Sequence, residues 1–121
     1  MTNAQPDAAV EAELNRITIK FFNAVSFEVG QLPPYENIKE LFIESGLLIK
    51  NVGAAPEIST VSEFITPRQA QVNSGALSRF HESELSNRTL VFGNVAHRFS
   101  AYTKSGKLNG TSFNARGMIS T

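Results

Sequence analysis

The chain has no cysteine and no tryptophan, and a single aspartate. Without cysteine there can be no disulfide, no thiolate metal site and no cysteine nucleophile. The lone aspartate, Asp7, stands in the N-terminal leader, against ten glutamates in the chain. A mechanism that needs an aspartate in the body of the fold is therefore excluded. No apolar run approaches the roughly 18 residues that a membrane helix needs. The opening MTNAQPDAAVEAE is too polar and acidic for a secretory signal. The cytoplasm is thus the expected compartment, and no membrane partner is expected. An excess of either charge is missing too, since 11 Lys and Arg balance 11 Asp and Glu. Nucleic-acid binders normally carry a basic excess or a basic stripe. Along the linear sequence neither is visible, so no nucleic-acid partner is expected.

What remains is an ordinary globular composition, 41% apolar and 18% charged. A length of 121 residues suits one domain, 1–121, with a single core. The pattern puts helices first. Asn3–Pro6 reads as a frayed lead-in and Asp7 as a helix N-cap. Val10, Leu14, Ile17, Phe21 and Ala24/Val25 then recur at three- and four-residue steps, with Glu28 closing the series and Gly30 stopping it. Pro33-Pro34 open a second helix, PYENIKELF, with Ile38, Leu41 and Phe42 on its apolar face. Ser45-Gly46 break it, and LLIKNV reads as a strand. In ISTVSEFITPRQAQVNSG, Thr60–Glu63 and Thr66–Gln69 both have capping-box spacing. The expectation is one helical turn, a reset at Thr66-Pro67, and a helix ending near Ser74-Gly75.

Everything after Gly75 reads as strand. Gly93-Asn94 is a two-residue hairpin signal, and Ser105-Gly106-Lys107 marks a second turn. The meander runs over Leu77–Phe92, Val95–Lys104 and Asn109 to the end. If Gly93-Asn94 is the turn, Leu90 faces His97, Arg88 faces Phe99, and Glu84 faces Thr103. Alternation then puts Phe80, Glu82, Glu84, Arg88, Leu90, His97 and Phe99 on one face. His81, Leu85, Arg98, Ser100 and Tyr102 fall on the other. Phenylalanines mixed with two glutamates, an arginine and a histidine suit a half-lined cavity. A bulge in the long strand would invert the parity beyond it.

The order of a long helix with Phe21-Phe22 near its end, a short helix, a strand, a third helical segment and a bent meander resembles the nuclear-transport-factor-2-like superfamily. Within it, FITPRQAQVNSGALSRFHESELSNRTLVFGNVAHRFSAY with the later ARGMIS resembles SnoaL-like bacterial proteins of undetermined role. The resemblance covers the chain from about Val10 onward. It implies an α+β, cystatin-like, cone-shaped barrel: three N-terminal helices packed on a curved antiparallel sheet, with a pocket between them. It also implies a homodimer through the sheet. Enzymes of this fold include ketosteroid isomerases, polyketide cyclases, limonene epoxide hydrolases and scytalone dehydratase; other members only bind ligands or proteins.

Two departures limit what carries over. The four enzyme types use pocket aspartates, and a gapless match of LFIESGLLIKN puts Lys50 or Asn51 where the isomerase base would be. The family also continues into a last strand that is short or missing here. The expected function is a small-molecule-binding pocket, for a small apolar or weakly acidic organic molecule. His97 is its candidate base, with Glu84 or Glu82 to orient or compensate it. Arg88 would hold an anionic group. Glu82, Phe99, Leu90, Phe80, Tyr35, Phe21 and Arg116 complete the lining, and Arg116 faces the cavity only if the second turn is long. No ligand-spacing motif supports a metal at His97 with Glu82 and Glu84, and no cofactor is expected. The alternative is a non-enzymatic dimerisation or assembly module whose outer sheet face matters.

Overall fold

The computed structural model describes residues 7–121, so the lead-in expected over Asn3–Pro6 lies outside the described residues. Asp7 caps the first helix, α1 (Ala8–Val25), by accepting the Val10 N–H at 2.9 Å. The apolar series forms one face that is half-buried at Val10, Leu14, Ile17 and Phe21 and fully buried only at Ala24 and Val25, with Phe22 buried beside them. The helix stops at Ser26, however, and does not reach Glu28. Ser26 Oγ donates back to the Phe22 carbonyl at 2.7 Å. Phe27 is drawn out into two main-chain bonds with Phe80, of 2.8 and 3.1 Å. This bridge ties the end of α1 to the edge of the main sheet.

A 3-10 helix follows at Tyr35–Leu41, burying Tyr35 and Ile38. The strand expected at LLIKNV is β1 (Leu47–Lys50), and it pairs antiparallel with β2 (Glu57–Thr60). That second strand occupies residues whose helix-start signals had marked them as the lead-in to a helix. Thr60 and Glu63 do form a capping box, but the helix they open, α2 (Val61–Asn73), runs unbroken through Pro67. An interior proline forfeits one backbone bond. Burial of Ile65, with Phe64 and Val72 against the core, holds both halves of the helix in line. The Thr66 hydroxyl caps nothing; it donates to the Ser62 carbonyl at 2.9 Å.

The meander is β3 (Leu77–Phe92), β4 (Val95–Leu108) and β5 (Thr111–Ser120), in that spatial order. Gly93-Asn94 turns as expected. The second turn lies at Asn109-Gly110, not at Ser105–Lys107. Asn109 and Gly110 have φ of 50° and 81°, the double positive φ of a type I′ turn. Gly106 is needed inside the strand for another reason, because a Cβ there would stand 2.6 Å from the Arg79 carbonyl oxygen. The fold is thus α+β, three helices against a curved antiparallel sheet that does not close. Its core gathers Ala24, Val25, Tyr35, Ile38 and Ile65. Among the described residues no helix is long and apolar enough to cross a membrane.

Candidate functional site

Near the Gly93-Asn94 turn, β3 and β4 pair as the alternation requires: Leu90 with His97, Arg88 with Phe99, Ser86 with Ala101. Beyond that the register shifts. Leu85 has no cross-strand partner, and Glu84 stands opposite Tyr102, where simple pairing put Thr103. One extra residue exchanges the two faces of the strand. Phe80, Glu82 and Glu84 therefore share a face with Arg98, Ser100 and Tyr102. Arg88, Leu90 and Phe92 share the opposite face with His97 and Phe99.

The first of these faces is the inner one. Arg98 is only 6% exposed, and its Nη1 donates to Asn15 Oδ1 on α1 at 2.8 Å. Glu84 takes two bonds from the same guanidinium, Nε to Oε2 at 3.0 Å and Nη2 to Oε1 at 2.6 Å. It accepts further bonds from Ser100 Oγ at 2.6 Å and Asn87 Nδ2 at 3.2 Å. Burial raises the Glu84 carboxyl. The hydrogen bonds from Arg98 and Ser100 and the Arg98 charge outweigh it and hold the group below its ordinary 4.5. With its lone pairs taken, Glu84 is a structural clamp.

Glu82, two residues earlier, is placed differently. Its N–H donates to Ser26 Oγ at 3.1 Å, which fixes the strand against the end of α1. Among the described residues its carboxylate has no hydrogen-bond partner, and neither has the hydroxyl of Tyr35, a residue only 2% exposed. No side-chain polar atom sealed from solvent lacks a partner among the described residues, so both groups keep contact with accessible space. Burial pushes the Glu82 carboxyl up to about 6, against the opposing pull of the Lys104 and Arg68 charges. Arg68 comes from α2. Its guanidinium lies 3.6 Å from the Phe64 ring centroid and donates to the Phe64 carbonyl at 2.9 Å. Burial lowers its pKa, and the charges of Tyr35, Glu82 and Glu57 offset only part of that shift. Burial raises the Tyr35 phenol, opposed by Arg68. The Tyr102 phenol is raised by burial and then by Glu82. The charges of Arg68 and Lys104 thus act on Glu82, and those of Arg68 and Glu82 on Tyr35 and Tyr102 in turn.

The sequence-derived site is split by this geometry. Glu82, Phe80, Tyr35 and Phe21 lie on the helix side, where Phe21 and Phe80 pack on the core and Tyr35 belongs to it. Glu84 lies there as well, committed to Arg98. His97, Arg88, Leu90, Phe99 and Arg116 lie on the outer face and are exposed. His97 Nε2 shares a 2.7 Å hydrogen bond with Ser120 Oγ, and its ring is 6.3 Å from that of Phe99. His97 and Glu84 are not brought together. Arg116 pairs with Thr103 and so faces outward, on the same face as Met118. Arg68, Tyr102 and Lys104 escaped the sequence reading. The unread bulge put Tyr102 on the wrong side of Glu82, whereas Arg68 carries a legible signal, standing one helical turn after Phe64. Among the described residues no three His, Asp or Glu side chains converge as a metal set. A separate open groove of about 180 Å³ is lined by Lys39, Phe42, Ile43, Glu44, Val61 and Ser62.

No family model matches the chain, and neither the curated proteins nor the solved structures give a significant match.

Proposed function

We propose that the chain is a small-molecule-binding protein of the cone-shaped, nuclear-transport-factor-2-like kind, with its polar centre at Glu82, Arg68 and Tyr35. The observation that carries this is the Glu82 carboxyl, pushed up to about 6 with no hydrogen-bond partner among the described residues. A half-buried acid left unpaired beside two cations is poised to meet something other than the protein. A small organic molecule with a weakly acidic or carbonyl group fits this setting. Arg68 and Lys104 would hold its oxygen atoms, the aromatic rings of Tyr35 and Tyr102 would flank its apolar body, and protonated Glu82 would donate a hydrogen bond. Glu82 is then the group within this site able to exchange a proton near neutral pH.

Thermal-shift measurements with a panel of aromatic and aliphatic carboxylic acids and ketones test this. The expected result is a ligand-dependent rise in Tm that Arg68→Met abolishes, Glu82→Gln alters in its pH dependence, and His97→Ala leaves intact. Ligand shifts that survive both Arg68→Met and Glu82→Gln would overturn it.

A further inference from the structure

On the inner face of the sheet, two glycine notches are filled by the chain's own rings. Phe80, Gly106 and Phe113 form one row across β3, β4 and β5. The next row inward is Glu82, Lys104 and Ala115, and the one after it Glu84, Tyr102 and Gly117. Alternation keeps all three rows on the face that holds Glu82. A Cβ on Gly106 would stand 2.8 Å from Phe113 Cζ, and a Cβ on Gly117 would stand 2.6 Å from Tyr102 Cζ. Each ring therefore lies down on the neighbouring strand, Phe113 leaning from β5 onto β4 and Tyr102 from β4 onto β5. Ala115, in the row between the two rings, stays exposed.

The helical layer leaves this place open. The helices α1 and α2 pack against β3, and among the described residues no helix backbone comes up to β5. The middle row thus runs from Glu82, held under the end of α1 by Ser26, through half-buried Lys104 to open Ala115. With strands about 4.8 Å apart, that row spans about 10 Å from acid to opening. The two ring-bearing rows lie about 14 Å apart along the strands. After half a ring's width is taken from each side, the bay over Ala115 has the width of one six-membered ring.

Resting on Glu82 and Arg68 as the polar centre of a ligand site, we infer that the ligand is a single-ring aromatic carboxylic acid. Its carboxylate sits on Lys104 beside Glu82, and its ring lies on Ala115 between Tyr102 and Phe113. Lys104 supplies the cation in the middle of the row. Tyr35, only 2% exposed, holds a hydroxyl without a hydrogen-bond partner within the field of Arg68, a further donor for the same head group. Flat side chains on both flanks favour a flat body over a puckered one. Ala115 is then the residue that sets specificity, because a larger side chain there would stand where the ligand's ring must lie.

Isothermal titration calorimetry of the full chain at pH 5.5, where Glu82 is mostly protonated, tests this with benzoate and cyclohexanecarboxylate. The two acids match in carbon count and charge and differ in flatness. Benzoate is expected to bind about threefold tighter or more. Ala115→Leu should weaken benzoate binding about tenfold or more. Asn114→Ala, on the opposite face of β5, should change neither affinity. Phe113→Leu keeps an apolar wall but not a flat one, so it should bring the two acids to near parity, and it carries the test if Ala115→Leu does not fold. Equal affinity of the parent for the two acids would overturn the inference, as would benzoate binding untouched by Ala115→Leu or a preference that survives Phe113→Leu. In each of these cases loss of binding in Arg68→Met would leave the Glu82–Arg68 site standing. Failure of every acid and ketone to bind would overturn the inference and that site together.

Discussion

The inner face of the β3–β4–β5 sheet pairs or confines its charges, and the outer face leaves them single. His97 and Arg98 are neighbours in sequence, yet one is exposed beside Phe99 and the other is sealed against α1 by Glu84 and Asn15. Alternation along β4 separates the two, and the unpaired Leu85 on β3 decides that Glu84 shares a face with Arg98 and not with His97. Within the inner face a second contrast follows. Glu84 has all its partners and a lowered pKa, while Glu82 has burial without partners and a raised one. One carboxylate stabilises the fold when charged, and the other opposes it.

Deleting Leu85 attacks the contrast at its origin. Simple alternation would then turn Glu84, Glu82 and Phe80 out of the face they share with Arg98. The expected cost exceeds about 5 kcal/mol, enough to unfold a domain of this size, and circular dichroism should show no cooperative melt. Arg98→Met, which leaves Glu84 buried without its cation, should cost about 3 kcal/mol or more in urea unfolding. The lowered Glu84 pKa means that its stabilisation is complete above pH 4.5 and is lost as pH falls through the folded value. Arg98→Met should remove most of that acid sensitivity.

Glu82→Gln should act with the opposite sign. Between pH 4.5 and about 6 the folded chain retains a proton that the unfolded chain has released, so ionising Glu82 lowers stability as pH rises. The variant should therefore gain up to about 2 kcal/mol at pH 7.5 and nothing below pH 4.5, read from urea midpoints across that range. The smallest effects belong to the outer face. His97→Ala and Arg88→Gln should each stay within about 0.5 kcal/mol of the parent in the same assay.

How far the sequence discloses all this depends on the kind of signal. Caps and turns were legible wherever chemistry is local: Asp7, the Thr60–Glu63 box and Gly93-Asn94 each act through neighbours in the chain. Gly106 was misread because the reason for that glycine is an approach by Arg79 and Phe113 from other strands. The helical signal through Pro67 was underestimated because burial of Ile65 outweighs a local break. Strand β2 was invisible because its partner, not its own pattern, defines it. Of the candidate site residues, Glu82, Glu84, Phe80 and Tyr35 fall on the helix side of the sheet, while His97, Arg88, Leu90 and Phe99 fall on the opposite face. A bulge leaves no local mark in ESELSNR, yet it decides which half of the strand faces the helices.

The most direct test of the opposed roles of Glu82 and Glu84 is a side-chain carboxyl carbon-13 NMR titration of both residues in the same sample. Glu82 is expected to titrate near 6 and Glu84 below 4.5. Both carboxyls titrating together at about 4.5, the usual glutamate range, would contradict the reading of Glu82 as the unpaired acid on which the proposed ligand site rests.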